Sequence, residues 1–243
     1  MRLMTFSKRC VREILRDPVN IGFGLGFPVV LLLLLSAMQA NIPVDLFVIE
    51  RLAPGIAVFG LSFMTLFSAT LVAKDRESSL LIRLYTTPLK PREFILGYML
   101  PLIPLSIGQG AVCYLVALAL GLTPSLNILV ALVALVPISV TYISLGLLVG
   151  SLVSVKAVGG ICGGLFTNLS AWLSGVWFDL SLVGGAFERA AGLLPFVHAV
   201  ELERAIIGGS TEGVLVHLLV VVGYATVATL CAVVAFLRQM KKQ

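Results

Sequence analysis

The residues able to act on a substrate are few in this chain, and they are poorly assembled for it. Its two histidines, His198 and His217, belong to no H-E-x-x-H motif, and no G-x-S-x-G frames a serine nucleophile. The nearest approach to a hydrolytic pair is Ser174 with His217, as in an intramembrane hydrolase, but nothing else marks Ser174 as a nucleophile. Both histidines read more simply as membrane-interface residues. Cys10, Cys113, Cys162 and Cys231 form no C-x-x-C, and three of them lie in apolar runs. They read as small hydrophobes, not as a disulfide or metal framework. No Gly-Lys dipeptide occurs, so G-x-x-x-x-G-K-[ST] is excluded and with it that class of phosphate-binding loop. The expectation is therefore no catalytic residue, no metal site and no cofactor bound by this chain. Energy for uphill work would have to come from another chain.

What the sequence does concentrate is charge. Residues 74–93 carry eight charged side chains in twenty, yet their centre reads Leu-Leu-Ile-Arg-Leu-Tyr. A polar loop between membrane spans needs no apolar centre, so this stretch is read as a docking element for a partner protein.

The elements that would hold it are membrane helices. Of 243 residues, 59% are hydrophobic and 12% charged, about half the charge of a soluble domain. Apolar runs of roughly 20 residues recur, enough to cross a hydrocarbon core about 30 Å thick. They are apolar on every face, unlike the alternating segments of a transmembrane barrel. The expected fold is an all-α integral membrane protein with six spans, near 19–40, 52–73, 94–120, 126–153, 157–178 and 214–237. Residues 1–18 form a basic amphipathic helix suited to the membrane surface, where its arginines meet lipid headgroups. Residues 19–243 form the six-span domain, with the charged loop at 74–93. An outer segment at 179–213 is too apolar for a disordered loop and is expected to hold short re-entrant-like helices.

Six spans place both termini on one side, and fourteen Lys and Arg fall there against three on the other. The positive-inside rule then puts both termini and the 74–93 loop in the cytoplasm. Although the net charge is +5, its concentration beside span ends argues for a membrane and against nucleic acid. No span interior holds Asp, Glu, Lys or Arg, which argues against a proton-driven carrier. Within the spans, Gly160 and Gly164 belong to overlapping small-xxx-small spacings, read either as a dimer seam or as close packing inside one copy. Gln109 and Asn168 are intramembrane amides that either join helices or line a pathway.

Asp75-Arg76-Glu77, Leu81, Leu84, Thr87-Pro88, Glu93 and Gly97 resemble the loop between spans two and three of the ATP-binding-cassette type-2 exporter permeases. Leu194-Pro195 to Glu203-Arg204 and Gly208 look like that family's segment before the last span, and the whole-chain plan is similar too. One departure is Ser78-Ser79, where many members have Gly followed by Thr or Ser. The resemblance implies a permease subunit of an exporter, pairing with a second copy or a paralogue and with cytosolic ATPase subunits that bind ATP and Mg. It makes Glu77–Tyr85 a coupling helix. Leu80, Leu81, Leu84 and Tyr85 then supply an apolar face for a groove, Glu77 and Arg83 set register, and Pro88 ends the helix. The apolar spans favour a lipid-like or drug-like cargo. A non-transporting membrane scaffold that anchors a soluble partner through the same loop is the competing reading.

Overall fold

The computed structural model describes residues 2–43, 47–78 and 91–240, and among these every regular element is helical. Helix α1 (Arg2–Leu15) leads through Arg16 and Asp17 into α2 (Pro18–Gln39). Asp17 sets this junction: its side chain accepts from the Asn20 N–H at 3.3 Å and from Asn20 Nδ2 at 2.7 Å. Pro18 occupies the first helical position, where its missing N–H costs nothing.

The second apolar run forms α3 (Ile49–Gly60) and α4 (Ser62–Glu77), joined at Leu61. Helix continues four residues past the end expected at 73. Lys74–Glu77, read from sequence as the start of a loop, is thus the last turn of α4. Then follow α5 (Pro91–Ala119), carrying Pro101 and Pro104, and α6 (Asn127–Leu152), carrying Pro137.

Helices α4 and α6 cross in the centre of the bundle with almost no side-chain spacer. A Cβ on Gly150 would lie 2.3 Å from Ala69 O, and one on Gly146 would lie 2.2 Å from Thr65 O. At that separation hydroxyls reach the neighbouring backbone. Thr65 donates to Tyr142 O at 2.9 Å, and Ser68 donates to Ile143 O at 3.0 Å. Small residues that allow close approach, with hydroxyls as glue, are how membrane helices associate where lipid supplies no hydrophobic drive.

The stretch expected as a span over 157–178 differs in form. It is α7 (Val155–Val158), a π-helix over Gly159–Phe166 and α8 (Thr167–Trp172), without a break between them. Four glycines in eight residues make a poor α-helix, and the wider π turn is the result. After it come a 3-10 turn (Leu180–Leu182), α9 (Gly185–Gly192), α10 (Pro195–Ile207) and α11 (Val214–Met240). Among the described residues, five helical runs are long and apolar enough to cross a membrane: Pro18–Gln39, Ile49–Glu77, Glu93–Ala119, Asn127–Leu152 and Val214–Gln239.

Candidate functional site: the base of the charged segment

The last turn of α4 carries Asp75, Arg76 and Glu77, and each reaches a different neighbour. Asp75 is almost wholly buried. Arg9 of α1 grips it with both guanidinium arms, Nη1 to Oδ2 and Nη2 to Oδ1, each at 2.5 Å. Tyr98 of α5 donates its hydroxyl to Oδ2 at 2.8 Å. A two-pronged, charge-assisted pair of this kind fixes orientation as well as energy. The hydrogen bond to Asp75 holds the Arg9 guanidinium above its ordinary range, and Arg9 also donates to Glu13 at 2.6 Å. Burial, then the charge of Asp75, raises the Glu13 carboxyl. Burial also pushes the neighbouring Cys10 thiol up to about 12, so it stays an unreactive hydrophobe.

Gly97 lets α1 lie this close to α5. A Cβ there would meet Phe6 Cδ1 at 2.3 Å. Phe6 packs edge-on to Phe94 and Tyr98 at centroid distances of 5.6 and 5.0 Å.

Arg76 turns the other way, donating to Ser151 O at 2.8 Å and to Val153 O. These are carbonyls at the C-terminal end of α6, whose partial negative charge favours a cation. Glu77 accepts from the Val155 N–H at 2.9 Å. That N–H opens α7, whose N-cap Ser154 makes no side-chain capping bond. A carboxylate at a helix N-terminus is the complementary arrangement. Arg76 and Glu77 thus clamp the α6–α7 turn, while Asp75 is tied to α1 and α5.

Of the residues assigned to coupling, Glu77 is therefore placed at the base of the segment. Leu80, Leu81, Arg83, Leu84, Tyr85 and Pro88 lie outside the described residues.

The intramembrane candidates divide by location. Gln109 is buried against α3, where a Cβ on Gly60 would meet its Nε2 at 2.2 Å, and it donates to Cys113 Sγ at 3.2 Å. Gly160 and Gly164 face open space: among the described residues, nothing beyond their own helix would lie within 4 Å of an added Cβ. Asn168 is exposed beside them and donates to Gly164 O at 2.8 Å. Gln109 thus lies inside the chain, whereas the other three share an uncovered side of the π-helix and α8.

Next to that side is a cavity of about 370 Å³, within the range of small-molecule sites. Phe23 and Phe27 of α2, Phe59, Phe63, Trp177 and Asn168 are among the residues lining it. Its aromatic wall is continuous: Phe27 meets Phe63 at 5.8 Å, and Phe59 meets Trp177 at 5.4 Å, both edge-on.

At the opposite end, Ser174 donates to Ala171 O at 3.0 Å, while His217 Nδ1 meets His198 Nδ1 at 2.8 Å. His198 Nε2 lies 2.9 Å from Gly192 O, so its N–H donates there. No hydrogen bond joins Ser174 to His217 among the described residues. Arg204 of α10 reaches Gly175 O at 2.9 Å, Arg51 O at 3.3 Å and Glu201 at 2.9 Å, pinning the 179–213 segment to the start of α3.

Sequence reasoning gave Glu203 a place in the family resemblance but no role; it is fully buried and accepts the Tyr114 hydroxyl on Oε2 at 2.5 Å. A signal was present: Phe196, Ala199, Glu203 and Ile206 recur at helical spacing, and all four are buried.

Long apolar helices around a tightly crossed centre define a multi-pass membrane protein. The ABC-2 type transporter family model matches residues 1–207, and the chain belongs to that family. It is accordingly a membrane permease subunit of an ABC transporter. No curated protein matches it.

Proposed function

We propose that this permease is the path-forming half of an ATP-driven exporter, working as a dimer with a second copy or a paralogue. Two cytosolic ATPase subunits, which bind ATP and Mg, drive it through the 74–93 segment. The observation that carries this reading is the three-way tie at Asp75, Arg76 and Glu77. A push on the segment that follows Glu77 is delivered to α1, α5 and the α6–α7 turn together. A loop that only anchored a partner would need no such linkage to helices on both sides of α4. The excess of Lys and Arg at this end supports a cytoplasmic side for it and for both termini, in the cell (inner or plasma) membrane.

The uncovered side bearing Gly160, Gly164 and Asn168 supports the dimer seam. The aromatic cavity beside it supports a lipid-like or drug-like cargo, since apolar walls with a few polar groups suit such molecules.

The test is Leu84→Asp in the permease reconstituted with its ATPase. Membrane insertion and ATPase binding are expected to persist while ATP hydrolysis no longer drives export. Normal export by this variant overturns the coupling assignment. Hydrolysis by the parent complex that no compound stimulates, with no movement of lipid or drug, favours a scaffold.

A further inference from the structure

Glu203 has no role in the coupling geometry, yet it is the most enclosed carboxyl of the described residues. Its side chain is 0% exposed, and among the described residues its one hydrogen-bonding partner is Tyr114, which donates to Oε2, while Oε1 has none. Arg204, next in the chain, is spent on Gly175 O, Arg51 O and Glu201. The elements packed on α10 bring no compensating charge. From α5 the facing group is Tyr114, with the Cys113 thiol beside it. Helix α6 holds no ionisable side chain except Tyr142, α3 has only Glu50 and Arg51 in its first turn, and α9 has Glu188 and Arg189. His217 of α11 is bonded to His198. Of these groups Tyr114 alone acts on Glu203, lowering a carboxyl that burial raises.

A carboxylate in that setting would be a buried charge with one donor and no cation, which proteins avoid by keeping the group protonated. We propose that Glu203 is a proton-binding site. It is held as the neutral acid while it is enclosed and bonded to Tyr114 of α5, and it is ionised whenever α10 draws away from Tyr114 and water enters. On parting, the carboxyl O–H bond breaks and water takes the proton, leaving the carboxylate. Repacking requires a proton from the medium. The inference rests on the exporter reading only in treating α10 as a part that moves.

The direction with pH follows from burial, which pushes the Glu203 carboxyl up to about 8 from an ordinary value of 4.5. Below the ordinary value the acid is neutral in both arrangements and the packed one keeps its full stability. As pH rises from there towards about 8, the packed-to-parted ratio falls by up to about tenfold per pH unit, then levels off.

Two measurements on the chain alone in lipid nanodiscs test this, without ATPase or cargo, so a failure of the exporter reading leaves them unaffected. The first is the infrared carbonyl stretch of protonated carboxyls between pH 5 and 9. A band present at pH 6 and missing in Glu203→Gln is expected, and a spectrum that Glu203→Gln leaves unchanged overturns the proposal. The second uses spin labels at Leu193→Cys and Leu126→Cys, both strongly exposed, with the exposed Cys231 replaced by serine. A longer distance that grows with pH in the parent and vanishes in Glu203→Gln is expected. An unchanging distance in the parent, or the same pH dependence in Glu203→Gln, overturns it. Should Glu203→Gln not fold, Tyr114→Phe decides: losing the donor to the carboxylate moves the titration to higher pH, and a shift the other way or none refutes the site.

Discussion

Asp75 illustrates how much rests on single side chains in this permease. It is buried, and its charge is met by Arg9 and Tyr98. Truncating Arg9 leaves that carboxylate buried with one hydroxyl donor, a change that typically costs about 3–5 kcal/mol. Arg9→Ala should therefore lower thermal stability in detergent well beyond Arg12→Ala on the same helix. Equal melting temperatures for the two variants would show that the pair holds little. Arg76→Ala leaves no such buried charge. Its effect is expected on the α6–α7 turn, read as faster hydrogen exchange at 151–155 without a comparable loss of global stability.

Among the elements, α4 and α6 set the limits of deformation. Their crossing depends on glycine, because a Cβ at Gly150 meets Ala69 backbone and not a side chain that can rotate away. Gly150→Ala must separate the helices and break the Thr65 and Ser68 bonds. A loss of about 1–3 kcal/mol is expected from thermal unfolding, in line with overpacking of a dense core. Gly164→Ala faces open space and should be neutral to folding. An equal loss in both variants would show that the crossing is not the constraint. The π-helix is the complementary case, since its glycines leave one side uncovered where the crossing glycines are sealed.

For the whole molecule, the uncovered side is the surface on which a second permease copy is proposed to pack. Gly160→Leu combined with Gly164→Leu should leave the single chain folded and insert it normally, yet shift the complex from dimer to monomer by mass photometry in native lipid. A dimer unchanged by both substitutions would place the seam elsewhere.

Sequence alone determined the helical class, the apolar runs and the charge asymmetry between the two ends, because hydropathy and charge are local properties that lipid reads segment by segment. The motif at residues 75–77 was legible as a cluster, and Gly97 as part of the resemblance. Tertiary structure decided what those residues do. Arg9 lies 66 residues from Asp75, Arg76 lies 75 from Ser151, and Tyr114 lies 89 from Glu203. Which side chain meets which across such separations depends on how the helices rotate and cross. That rotation is fixed by close contacts such as Gly150 on Ala69, which no single segment contains. The same holds for the fifth apolar run: its hydropathy predicted a span, but its glycines and its neighbours produced a π-helix with one side left open.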